Sequence, residues 1–192
     1  GANAGERINV SVLDSGIDYN HPDLRDNVKG GYSCLRYTTD YMDDLGHGTH
    51  VAGIIGAIDN DVGVIGVAPK VWLYAVKVIN EAGWFWLSDL VEGIEWSIDQ
   101  DVNIISMSLG INFSDPSLFQ AVEAAYNKGI LLVASAGNDG KEDDIDYPAR
   151  YDQVIAVGAY DQESDWRAPF SDIGSELDLI APGVNINSTC LN

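Results

Sequence analysis

The chain has 192 residues, 46% of them hydrophobic and 9% aromatic, which describes a folding single domain with a buried core and excludes a disordered tail. Thirty Asp and Glu against ten Lys and Arg give a net charge of −20, so nucleic acid and anionic lipid are not expected as partners. No apolar run nears the roughly 20 residues that span a bilayer.

Taken in order, Ile8–Leu13 reads as a buried strand that ends in the turn signal Asp14-Ser15-Gly16. The segment from His47 to Ile58 is apolar and Gly-rich. A helix there implies close packing against a neighbour, because glycine is a poor helix former. Trp72–Val78 is a second strand, rich in aromatic and β-branched residues. Ser88–Gln100 reads as a helix with Ser88 as its cap, and Leu90, Val91, Ile94 and Ile98 share a face. Ile104–Leu109 is strand-like. Asp115 caps the next helix, Pro116 suits its first position and Gly129 falls just past its end. Ile130–Ala134, Val154–Val157 and Leu177–Ile180 read as further strands. Apolar strands separated by helices argue for an α/β fold with a mostly parallel sheet covered on both faces. In such folds sites form beyond the carboxyl ends of strands, where Asp14, Ser108 to Gly110 and Asn138 fall.

Three clusters carry chemistry. Asp14 could orient an imidazole, or could simply bond its own turn. His47-Gly48-Thr49-His50 opens the Gly-rich segment, and a histidine there can face a cleft. The alternative, a zinc pair of His47 and His50, lacks an obvious third ligand. Asn138, in Ser135-Ala136-Gly137-Asn138, could donate an amide hydrogen bond to a developing oxyanion, or could mark an ordinary strand exit. Cys34 and Cys190 could form one bridge, and their pairing stays open.

Together, Asp14, His47-Gly48-Thr49-His50-Val51-Ala52-Gly53, Ser106-Met107-Ser108-Leu109-Gly110 and Ser135-Ala136-Gly137-Asn138 resemble the subtilisin-like serine peptidases, the subtilases. Tyr147-Pro148-Ala149 and Ala181-Pro182-Gly183-Val184 extend the likeness over nearly the whole chain. The resemblance implies a three-layer α/β domain and hydrolysis of peptide bonds in proteins. It assigns Asp14 to orienting the base, His47 to general base and then general acid, and Asn138 to the oxyanion hole. The Asp, His, Ser order and the oxyanion Asn are general knowledge of that family. Polypeptide substrate would lie as an added strand between Ser108-Leu109-Gly110 and Ser135-Ala136-Gly137. Trp84-Phe85-Trp86 and Leu87 fall where the family builds an apolar subsite rim. Asp146 stands at the floor of the first specificity pocket, where a carboxylate should attract Arg or Lys.

The resemblance also implies structural calcium, held by the Asp23 carboxylate, the Asn60 side chain and the carbonyls of Ile58, Val62 and Val64. It implies a secreted enzyme, an intracellular member being the alternative, with a propeptide as a possible further partner. The family's nucleophile lies in a Gly-Thr-Ser-Met-Ala type segment that these 192 residues do not contain. The expectation is therefore a single catalytic domain cut short before its serine, inactive by itself and prone to oligomerise. Its alternative is a degenerate module that binds peptides without cutting them.

Overall fold

The computed structural model describes residues 3–191. Two compact units divide the chain, one formed by residues 1–106 with 187–192 and the other by residues 107–186.

In the first unit, β1 (Asn9–Asp14), β2 (Val28–Ser33), β3 (Trp72–Lys77) and β4 (Ile104–Met107) follow the order β2-β3-β1-β4. β1 and β2 both run parallel to β3, with Val12 opposite Ala75 and Asp14 opposite Lys77. Alternation along β1 assigns its two faces. Val10 and Val12 join Leu73, Ala75 and Ala52 of α1 (His47–Gly56) in one buried cluster. A Cβ built on Gly93 of α2 (Leu87–Asp99) would meet Leu13, Val76 and Val78, which point the other way. The two helices therefore cover opposite faces, as the apolar strands require.

The glycines of α1 behave as their composition implies. A Cβ on Gly48 would collide with the Gly16 carbonyl oxygen, and one on Gly53 with the hydroxyls of Ser188 and Thr189. The helix thus packs directly on the turn after β1 and on the segment 187–191.

The second unit is built on β6 (Val154–Asp161), which pairs in parallel with β5 (Leu131–Ser135) and β8 (Leu179–Pro182) and antiparallel with β7 (Trp166–Arg167). Its helix α3 (Pro116–Asn127) begins as its sequence dictates. The Asp115 side chain accepts from the N–H groups of Ser117 and Leu118, and Pro116 takes the first helical position.

Two expectations change, one strand is added, and the open question of the cysteines closes. α2 starts at Leu87, with Trp86 as its extended cap residue and no side-chain cap, while the Ser88 hydroxyl donates to Asp89 instead. The Trp86 carbonyl accepts the first helical N–H bonds, so the turn is set by backbone. β2 carries Lys29, Gly30 and Gly31 and shows no apolar run, yet it forms a strand because β3 offers a free edge. Leu177–Ile180 shifts to Leu179–Pro182, and all four residues of that strand are exposed, so coverage of both faces fails there. Cys34 and Cys190 are both free, the first buried and the second exposed. Burial pushes the Cys34 thiol up to about 12, so it is inert at neutral pH.

Candidate active site

The first unit brings Asp14 and His47 together. Asp14 ends β1 and is fully buried, while the His47 side chain at the start of α1 is about half exposed. His47 Nδ1 lies 2.8 and 2.9 Å from the two Asp14 oxygens. A carboxylate only accepts, so Nδ1 carries the proton and Nε2 is left as the acceptor. The hydrogen bond to Asp14 raises the His47 pKa above the usual imidazole value. Desolvation opposes it, and the charges of Asp14 and Asp43 add to it. Asp14 is itself fixed by the Ser15 N–H at 2.7 Å.

Sequence reasoning missed what holds this pair. Asp43 is buried and accepts five hydrogen bonds: from Ser15 Oγ (2.8 Å), Leu45 N (3.0 Å) and Gly46 N (2.9 Å) on one oxygen, and from Thr49 N (2.9 Å) and Thr49 Oγ1 (2.6 Å) on the other. Burial alone would raise its pKa. The donations from Thr49, Gly46 and Leu45 outweigh that and hold it below the usual carboxylate range. Ser15 Oγ in turn accepts from Gly48 N at 2.9 Å. Two side chains outside α1 thereby satisfy N–H groups in its first turn, where helices lack internal partners. An Asp four residues before the histidine was the only available signal, and it is a weak one. Lys77, fully buried, donates to the Ser15 carbonyl at 2.5 Å and pairs with Asp44 at 2.6 Å.

His50 is not a metal partner of His47, whose Nδ1 is engaged by Asp14. Among the described residues no three His, Cys, Asp or Glu side chains converge on a metal position. Ser188, outside the family's nucleophile context, donates its hydroxyl to the His50 carbonyl at 2.6 Å.

The second unit holds Asn138 and the two segments expected to flank substrate. Asn138 is exposed on the loop after β5. That loop is tied at both ends: Asp172 N to Gly137 O at 3.1 Å, Gly140 N to Phe170 O at 2.8 Å and Lys141 N to Asp172 Oδ1 at 2.6 Å. The segments Ser108-Leu109-Gly110 and Ser135-Ala136-Gly137 approach one another around Asp146. Its Oδ2 lies 3.3 Å from a Cβ built on Gly110 and 3.0 Å from one built on Gly137. Burial pushes the Asp146 carboxyl up; Lys141 opposes this, while Asp172, Asp139 and Asp144 reinforce it.

The aromatic run of the first unit projects outward, with Trp84 and Trp86 about three-quarters exposed. The residues expected at calcium are linked to one another by hydrogen bonds. Asp23, 1% exposed, accepts from Asn60 Nδ2 at 3.1 Å and from Val64 N at 3.1 Å. Asn60 Oδ1 accepts from Val62 N at 2.9 Å, and Ile58 N donates to the Asp23 carbonyl at 2.9 Å. Among the described residues this buried carboxylate has amide donors but no Lys or Arg ion pair. That donor chemistry suits a hard cation.

The model of the subtilase family matches residues 5–192. The chain is 47% identical over 188 residues to subtilisin DY of Bacillus licheniformis, covering 96% of this chain and 68% of that protein. It is 50% identical over 185 residues to the thermostable alkaline protease of Halalkalibacterium halodurans, covering 96% and 50%. To the minor extracellular protease Epr of Bacillus subtilis it is 47% identical over 188 residues, covering 98% and 28%. The chain thus spans about half the length of the curated relatives it matches, from 28% to 68% in these three.

Proposed function

The chain belongs to the subtilase family, and from that premise we propose that the whole protein is a serine endopeptidase in which Asp14, His47 and Asn138 serve as orienting acid, general base and oxyanion donor. The Asp14–His47 contact at 2.8 Å carries the reading. With Nδ1–H held by Asp14, Nε2 takes the proton of a serine hydroxyl as that oxygen attacks the scissile carbonyl. The imidazolium formed is stabilised by the carboxylate and then gives the proton to the leaving amine. The Asn138 amide donates to the oxygen that becomes negative. The serine would come from the whole protein, since the 192 residues lack the family's nucleophile segment. Ser108 to Gly110 and Ser135 to Gly137 take substrate backbone as an added strand, and Asp146 favours a basic side chain.

Hydrolysis of an internally quenched peptide by the whole protein, abolished in His47→Ala, is the expected result. Peptide binding without turnover by a folded whole protein would favour a non-cleaving module instead. One relative is an extracellular protease, which supports secretion. Among the described residues no helix is long and apolar enough to cross a membrane.

Calcium at Asp23, Ile58, Asn60, Val62 and Val64 would tie the loop after α1 to the segment before β2, stabilising the fold and taking no part in catalysis. Adding 1 mM calcium should raise the thermal unfolding midpoint by several degrees, as binding to the native state alone requires. Asp23→Asn should remove that gain. An unfolding temperature indifferent to calcium and to chelator would refute the site.

A further inference from the structure

The second unit carries a carboxylate that peptide hydrolysis does not need. Asp172 is fully buried, its Oδ1 accepts from Lys141 N, and its Oδ2 has no hydrogen-bond partner. That free oxygen is aimed at the space beside Gly137. A Cβ built on Gly137 would collide with Asp172 Oδ2 and lie 3.0 Å from Asp146 Oδ2, so both carboxylates face the same point. Gly137 has φ +116°, and a side chain there would be strained as well as crowded. Gly110 opens the other flank.

The cations around the pair are shared with other groups. Lys141 Nζ is committed to Asp139 (2.8 Å) and Asp144 (3.6 Å). Arg150 is held by Asp144 (2.9 Å) and Glu176 (3.2 Å). Arg167 donates to the Ser171 carbonyl. Lys141, which opposes the upward shift of Asp146, is shared with Asp139 and Asp144, so the two adjacent carboxylates outnumber the positive charge near them, and an incoming cation resolves this.

We propose that Asp146 and Asp172 act as a pair that takes one organic cation, the guanidinium or ammonium of a substrate Arg or Lys side chain. Asp146, half-buried, makes the contact. Asp172, sealed from solvent, supplies charge from beneath it. This deepens the substrate reading of Asp146 and rests on it for the source of the cation. Without a cation, burial favours the protonated form of Asp146 and raises its carboxyl. A cation displaces that proton, so affinity rises with pH, by up to about tenfold per unit while one proton is released.

The test is equilibrium binding of benzamidine and its neutral analogue benzamide to the full chain between pH 5 and 8, followed by NMR. Benzamidine should bind more tightly than benzamide and gain affinity with pH, while benzamide should not. Asp172→Asn keeps an acceptor for Lys141 N and should weaken benzamidine on the order of tenfold and flatten its pH dependence. It should leave benzamide unchanged. Asp146→Asn should weaken benzamidine further. Wild-type affinity and pH slope in Asp172→Asn, or equal binding of the two probes, would overturn the proposal. Should Asp172→Asn not fold, carboxyl carbon NMR of the wild-type chain decides. The carboxyl carbons of Asp146 and Asp172 should both change shift when benzamidine is added at pH 7, and a response from Asp146 alone would overturn the pair. Because binding is read without turnover, benzamidine uptake with no peptide cleavage by the whole protein would sink the peptidase reading alone. Cleavage without benzamidine preference would sink the pair alone.

Discussion

Replacing Asp14 with asparagine should lower the pKa of His47 and leave its ring without a fixed orientation. The hydrogen bond to Asp14 is the largest cause of the raised value in the native chain, and asparagine removes both the charge and the ability of that position to accept from Nδ1 with two oxygens. Imidazole proton NMR across pH 4 to 9 measures this directly, without catalysis. The same value for His47 in both chains would remove the physical basis of its assignment. In the whole protein the substitution should cut kcat by about 10⁴-fold, the order lost in serine peptidases when the triad acid becomes an amide. The base works only when neutral, so the acidic limb of the wild-type pH profile should lie above the ordinary imidazole pKa. The linked stability has a defined sign. With a raised folded pKa, the His47 contribution is fully present below the unfolded pKa and is lost as pH rises through the folded one. With the side chain about half exposed, that contribution is small beside the catalytic one.

Asp43→Ala should be the most damaging substitution for stability, costing about 3 kcal/mol by urea unfolding at pH 7. It strands Thr49 N, Gly46 N, Leu45 N and two hydroxyls at a buried position, and it loosens the first turn of the helix that carries His47. The Asp43 pKa is lowered, so its stabilisation is present above the unfolded carboxylate value and is lost as pH falls through the folded one. The gap between wild type and Asp43→Ala should therefore narrow in acid. Asp43→Asn, which can still accept on one oxygen, should fall between them. A loss below about 1 kcal/mol would mean that the helix start is held by other groups.

Much of the site was legible because its signals are local in sequence. Asp14 ends a strand that is buried from Val10 onward. His47 opens a segment whose glycines permit close contact with the turn after β1 and with the segment 187–191, and the Asp115-Pro116 start of α3 is a two-residue code that nothing distant overrides. The segments proposed to flank substrate both approach Asp146, through Gly110 and Gly137. The misses share a different origin. Ser88 is a good cap residue, but the backbone of Trp86 starts the helix one residue earlier. β2 has two glycines and a lysine, so its strand exists only because β3 supplies an edge. Asp43 and Asp172 look like ordinary loop acids until their partners are known.

The sequence alone therefore determined which segments must be buried, where two helices begin and which family's residue pattern the chain carries. Each of these depends on side chains within one or two turns of one another. Only the tertiary structure decided that Asp43 underpins His47 and that an oxygen of Asp172 is left facing Asp146. The reason is that a carboxylate's behaviour is set by the donors, charges and solvent around it. Those neighbours come from positions such as 15, 137 and 141, which no local pattern joins to it.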